Sequence, residues 1–427
     1  MRNRALRRAL CAMLCAGCFG FAAPSASAQS TSKVEFDEAV KRAIDRNPTV
    51  AIAAANIVRA EQVLQQIRSS TLPSVSATAS STTLDGTRGF EGTTTQPQHQ
   101  VTLGGNVSMP ILAPALWASV TQQRDQIEIA TLSVNEVRQQ IGIATAQAYL
   151  QVIAFKRQVE VNQRALDSAN AHLDYATKRF EGGAGSRLNQ LRAAQVASSD
   201  AARLENAQHA VRRAQEALGV LLVENGPIDA GAEPLLEAPA SLDEASWTAA
   251  RPDLITQAAV TRAAERTVKD TTKEWFPNAG FSFDPAYVAP ASLFSPSGSW
   301  RLSFQVSQPI FEGGRIRANR ALRTVAVEQS KLSFTQIQIQ ARSDVRLADE
   351  AVKSFERALA FARTAAQQAN EVVRISTSAF EVGATTNLEV IDAQREARDA
   401  DTLVTLAEDA VRRAKLDLLI AVGRFPG

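Results

Sequence analysis

The sequence predicts a mainly α-helical chain with a small β part, built as two copies of one unit whose longest element belongs to a coiled-coil hairpin. Three observations predict it: an internal repeat offset by roughly 200 residues, two stretches of about 67 residues nearly free of helix breakers whose second halves hold one helical register, and four short stretches alternating with period two. Composition agrees. The 427 residues are 45% hydrophobic and 21% charged, enough to bury a core. No run of 18 or more apolar residues occurs, so no single helix is suited to span a bilayer. A formal charge of +2 is too small for an obligate nucleic-acid binder.

Residues 1–28 read as a signal peptide. Arg2, Arg4, Arg7 and Arg8 form a basic start, Ala9 to Ala23 an apolar or small-residue core, and Ala26-Ser27-Ala28 a cleavage site. Cleavage after Ala28 takes the net charge from +2 to −2, since four arginines and no acids are removed. It also removes Cys11, Cys15 and Cys18, leaving no thiol for a disulfide or metal site. The competing reading is lipid attachment at Cys18, after Ala16-Gly17; Cys15 stands where a lipobox prefers a large aliphatic residue. Either way the protein leaves the cytoplasm.

The repeat divides the mature chain into units 29–230 and 231–427. Ala210-Val211-Arg212-Arg213-Ala214 recurs as Ala410-Val411-Arg412-Arg413-Ala414. In step with it, Phe180, Glu181, Gly183, Ala184 and Leu188 match Phe380, Glu381, Gly383, Ala384 and Leu388. Earlier, Val107, Ser108, Pro110 and Ile111 match Val306, Ser307, Pro309 and Ile310, the offset changing only in loop-like stretches. Each unit reads helix, strand, strand, long helix, tight turn, helix.

The leading helices are expected at roughly 36–70 and 241–274, and the long ones from Pro114 to Glu181 and from Arg315 to Glu381. A rise of 1.5 Å per residue makes each long helix a rod of roughly 100 Å. Ala148, Val152, Phe155, Val159, Asn162, Leu166, Ala169, Leu173, Ala176 and Phe180 step by four and three without a break. Ala348 to Phe380 repeats the pattern, and no seam position in either copy is charged. That is coiled-coil spacing, with alanines for close-set helices. Gly182-Gly183-Ala184-Gly185 and Val382-Gly383-Ala384-Thr385 then turn the rod back, with Ser186 and Thr386 placed to cap the return helices.

The strands are Val75–Ser80, Val101–Met109, Ala279–Phe283 and Trp300–Ser307, each apolar on one face and polar or small on the other. Such a dyad fits a transmembrane β-barrel strand or a half-buried soluble sheet. Each pair interrupts a rod, with no second layer to cover its apolar face. Four strands cannot close a barrel, and an open sheet in lipid leaves its edge groups unpaired, so a membrane barrel needs several chains.

Taken together the chain resembles the TolC/OprM family of outer-membrane efflux ducts. The resemblance covers essentially the whole mature chain and rests on Asn47-Pro48 and Arg251-Pro252, Leu72-Pro73 and Phe276-Pro277, and Gln308-Pro309-Ile310-Phe311-Glu312-Gly313-Gly314. It rests also on the Phe380–Ala384 turn followed by Asn387-Leu388-Glu389-Val390-Ile391-Asp392-Ala393. The resemblance implies a homotrimer in the outer membrane of a Gram-negative bacterium, three chains of four strands making a 12-stranded barrel above a helical α-barrel. It implies partners too: a periplasmic adaptor (membrane fusion) protein and an inner-membrane transporter, met by the tips Gly182, Gly183, Ala184, Gly185, Ser186 and Val382, Gly383, Ala384, Thr385, Thr386. Glu389 and Asp392 fall where the family carries acids ringing the periplasmic aperture. The first copy has Asn189 and Arg192 there, and Arg187 and Arg192 are candidates to pair with acids of the neighbouring hairpin.

No catalytic constellation is legible. His99, His172 and His209 are scattered without partners at ligand spacing, and the glycine-rich turn lacks the Lys-Ser/Thr of a phosphate loop. No cofactor and no metal are expected. The function expected is a passive exit duct of a tripartite efflux or type I secretion system. The alternative is a secreted or periplasmic coiled-coil structural or adaptor protein with no channel.

Overall fold

The structure, a computed structural model, describes residues 32–90, 92–239 and 242–425. The signal-peptide and Cys18 readings lie outside the described residues. In chain order the first unit contains β1 (Ser32–Val34), α1 (Phe36–Arg46), α2 (Pro48–Ser69), β2 (Ser74–Thr83), β3 (Arg88–Phe90), β4 (Thr93–Gln96), β5 (His99–Leu112), α3 (Pro114–Glu181) and α4 (Arg187–Leu222). After β6 (Ile228–Ala230) come α5 (Glu244–Ala250), α6 (Pro252–Asp270), a 3-10 turn (Thr271–Trp275), β7 (Asn278–Ala289), β8 (Gly298–Ser307), α7 (Arg315–Glu381) and α8 (Asn387–Ala421).

The long helices α3 and α7 run between the residues the sequence predicts, over 68 and 67 residues. Each packs along its return helix, α3 on α4 and α7 on α8, and α3 also lies against α8. The alternating seam explains the pairing. Val152, Ala169 and Ala176 are buried on α3, as are Val352, Ala362, Ala366 and Phe380 on α7. Phe355 departs from the expected seam and is 41% exposed.

The leading segments differ from the expectation of one continuous helix each. Both break immediately before a proline, at Asn47 and Arg251, where the backbone is extended (φ −67, ψ 127 and φ −73, ψ 119). The cause is steric: the proline ring disfavours helical angles in the residue before it, while proline itself suits a first helical turn. Asn47 then caps α2 by accepting the Thr49 N–H at 2.9 Å.

The main core sits at the waist, where Tyr149, Leu150 and Val152 of α3 meet Leu218 and Leu222 of α4 and Leu416 of α8. The link between repeats, to which the sequence assigns no role, contributes here. Its β6 pairs parallel with β1, Lys33 opposite Asp229. Asp229, buried in this pair of strands, accepts from Lys156 Nζ at 2.9 Å and from Gln215 Nε2 at 2.9 Å, which satisfies its charge. The turn beyond α4 closes tightly over Gly219, where a Cβ would stand 2.2 Å from the Gly226 carbonyl oxygen. Gly219→Ala is therefore expected to destabilise the protein by about 1–3 kcal/mol, read from the midpoint of thermal or urea unfolding. An unchanged midpoint would mean that this turn yields freely.

The four predicted strands form one antiparallel sheet in the order β2-β5-β7-β8. Its register lines up like with like. Val75, Val107, Phe283 and Leu302 form one cross-strand row, Met109, Phe281 and Phe304 another, and Ala79, Leu103 and Tyr287 a third. The opposite face carries Ser74, Ser108, Ser282 and Ser303, with Asn106 donating to Asp284 at 2.5 Å. One face is thus apolar and the other polar across all four strands. The apolar face is bare in a single chain: Val75 is 77% exposed, Trp300 71% and Phe304 66%. The outer strands β2 and β8 each leave one edge without a partner in the sheet. A short β3–β4 hairpin, not foreseen from the sequence, extends the loop between β2 and β5.

Candidate functional site at the hairpin tips

Both rods end in the same way. Gly183 and Gly383 adopt positive φ (74 and 80). Around them Ala184 donates to the Arg179 carbonyl and Gly183 to the Phe180 carbonyl, and Ala384 and Gly383 repeat these bonds to Ala379 and Phe380. This six-to-one plus five-to-two pattern satisfies the last carbonyls of each helix, and glycine supplies the left-handed residue without steric cost. The return helices open on side-chain caps: Ser186 accepts from the Asn189 N–H and Thr386 from the Glu389 N–H, as the sequence predicts.

Beneath the turns the two hairpins are clamped to each other. The Arg179 guanidinium lies over the Tyr175 ring at 5.9 Å and the Phe380 ring at 5.6 Å. Two helical turns below Arg179, His172 Nε2 and Asn387 Oδ1 are 2.7 Å apart and both residues are buried. The imidazole also packs 5.5 Å from the Phe380 ring. Burial holds its pKa below the ordinary value, with the Asn387 bond acting in the other direction. Further up, Arg398 on α8 donates to Asp200 on α4 at 2.9 Å, both side chains being under 10% exposed. This pair bridges the two return helices across a groove of about 630 Å³ that Arg164, Arg192, Arg203 and Arg395 also line.

The aperture candidates distribute unevenly. Glu389 and Asp392 lie exposed in the first turns of α8, and Asp392 meets Arg395 of its own helix at 3.7 Å. The expected pairing of Arg187 and Arg192 with acids is not made within one chain: among the described residues neither reaches a carboxylate. Arg187 instead donates to Gln190 at 3.0 Å and lies over the Phe180 ring at 5.6 Å. Arg187 is the first residue of α4, and its side chain folds back on the turn. The His172–Asn387 and Arg398–Asp200 contacts were not legible in the sequence, being separated by 215 and 198 residues. No cluster of three or more metal-ligating side chains occurs among the described residues.

The sequence profile of the outer membrane efflux protein family matches residues 39–222 and 246–424. The chain belongs to this family. It is 24% identical over 306 residues to the pyoverdine export outer membrane protein OpmQ of Pseudomonas putida, covering 68% of this chain and 65% of that protein. To the probable efflux pump outer membrane protein TtgC of the same species it is 25% identical over 381 residues, covering 83% and 76%. In the first three curated relatives the match spans 65%, 54% and 59% of their length, less than two thirds.

The family fold extends along the chain. CusC superimposes with a TM-score of 0.80 at 18% identity, covering 92% of this chain and 93% of that one. VceC of Vibrio cholerae gives 0.75 at 18% identity, covering 91% and 96%. These solved structures thus share the fold over about nine-tenths of the chain, although few residues are shared.

Proposed function

We propose that the protein is a passive outer-membrane exit duct, assembled as a homotrimer and driven by a partner pump. One observation carries the reading: a four-stranded sheet with a continuous bare apolar face and two unpaired edges, set at the end of rods roughly 100 Å long. Lipid accepts the apolar face, but only closure satisfies the edges. Along α7 a second bare stripe, Val325, Leu332 and Ile339 at steps of seven, suits packing against a neighbouring chain in the same ring. A bare patch of this extent calls for a partner.

In this reading residues 29–230 and 231–427 act as equivalent staves of one tunnel. The tips at 182–186 and 382–386 meet a periplasmic adaptor protein, behind which stands an inner-membrane transporter. Glu389 and Asp392 of three chains ring the aperture, favouring cations. Arg192 lines the groove between the return helices and Arg187 stands at the turn, both available to acids of an adjacent chain. Relatives named for pyoverdine export and for toluene or antibiotic efflux support a small-molecule cargo for such a duct.

Detergent extraction followed by planar-bilayer recording tests the proposal. The expected result is membrane-bound trimer giving discrete conductance steps; a protein recovered in the soluble periplasmic extract as a monomer without conductance overturns it. Replacing Glu389 and Asp392 by alanine together is expected to raise single-channel conductance about twofold and weaken cation preference. Unchanged conductance and selectivity would remove the ring from the mechanism.

A further inference from the structure

The joint between the two hairpins contains a titratable group that nothing in the duct reading uses. His172 projects from α3 into the crevice where α7 ends and α8 begins, against the Phe380 ring and with Nε2 on the Asn387 side-chain oxygen. Asn387 is the first residue of α8, two positions before Glu389 and five before Asp392. The contact therefore ties the start of the acidic segment to the opposite hairpin.

Burial favours a neutral ring here, against the Asn387 bond. From α3, Tyr175 and Arg179 stand closest along the chain's own face, Arg179 being a cation held over Phe380. The Asp174–Lys178 pair on the same helix is spent on itself in solvent, at 2.5 Å. From α4, Arg192 lines the adjoining crevice; from α8, Glu389 and Asp392 are exposed; and at the end of α7, Glu381 is exposed. That adjoining crevice, which shares Phe380 and Asn387 with the joint, is lined by two arginines, Arg179 and Arg192, and among the described residues by no carboxylate. The Asn387 Nδ2 and Thr385 Oγ1 atoms are buried there without partners, so the joint is imperfectly satisfied even before a charge is added.

We propose that His172 and Asn387 form an acid-sensitive joint: protonation puts an uncompensated charge into the buried α3–α8 contact, loosens it although Nε2 can still donate to Asn387, and frees the start of α8, widening the aperture of the duct. The inference rests on the duct reading for its consequence but not for the joint itself. Its sign follows from burial. The folded-state pKa lies below the unfolded one, so the joint is fully stabilising above about pH 6.5 and weakens as pH falls through the window beneath. The periplasmic side of an outer membrane is a compartment where an imidazole is the side chain suited to sense such a change.

The test uses the purified full-length mature protein in detergent and in bilayers. Hydrogen exchange over residues 380–392, corrected for intrinsic rates, is expected to rise about tenfold from about pH 7.5 to about pH 5.5. His172→Gln and His172→Asn, which keep a donor but no titration, should abolish that rise, whereas His209→Gln on exposed α4 should not. Asn387→Asp should reverse it, because a carboxylate partner favours the imidazolium and tightens the joint on acidification. In bilayers the wild-type conductance should increase about twofold over the same interval and His172→Gln should stay flat. Exchange that rises equally in both His172 variants overturns the inference, as does an unchanged slope in Asn387→Asp. Absence of conductance at every pH overturns the duct reading instead, while the exchange difference still decides the joint.

Discussion

Phe283→Arg is expected to keep the chain out of the outer membrane, while Ser303→Arg is tolerated. Phe283 lies midway along β7 in a row with Val107 and Leu302, on the apolar face. A cation there would face hydrocarbon, costing about 2–4 kcal/mol per chain at the bilayer midplane and roughly three times that in a trimer. Ser303 sits opposite Ser282 on the polar face, where an added arginine projects toward water. The contrast matters more than either result, since both variants add the same charge to neighbouring strands. Fractionation and the yield of detergent-resistant trimer measure it. Equal recovery of the two variants would mean that the apolar face does not meet lipid.

Arg398→Ala is expected to destabilise the helical region by about 3–5 kcal/mol, because it strands a buried carboxylate. Asp200 has only 6% of its side chain exposed, and its remaining cation, Arg203, is 3.9 Å away. The double change Asp200→Leu with Arg398→Met should recover most of the loss, since removing both charges also removes the cost of burying them. The unfolding midpoint of the trimer reads both. A loss below about 1 kcal/mol for the single change would show that water reaches the pair.

How much of this was legible in the sequence depended on periodicity. The approximate bounds of α3 and α7 were readable, because a proline or glycine pair marks each start and a glycine turn each end. The four sheet strands were readable because their alternation is set by which face meets which environment. The breaks at Asn47 and Arg251 had a local signal, the following proline, that the overall helical pattern masked. By contrast β1 and β6 are three residues each and pair across nearly the whole first unit, so neither carries a period. At the tips the turns and caps were readable as local chemistry. The partners of His172 and Arg398 were not, since they exist only once two hairpins lie side by side. Within the chain Arg187, at the start of α4, finds Gln190 of its own helix first.

The two free borders of the sheet, β2 and β8, bear on how the protein is made. Joining a second copy to a first hides one border from each, yet the resulting open ribbon still has two. Relief of the unmet backbone groups therefore arrives only with the joining event that closes the circle, and partial rings gain contacts without it. Assembly of this kind is steeply cooperative: lone chains and finished rings should dominate at every expression level, with half-built species scarce.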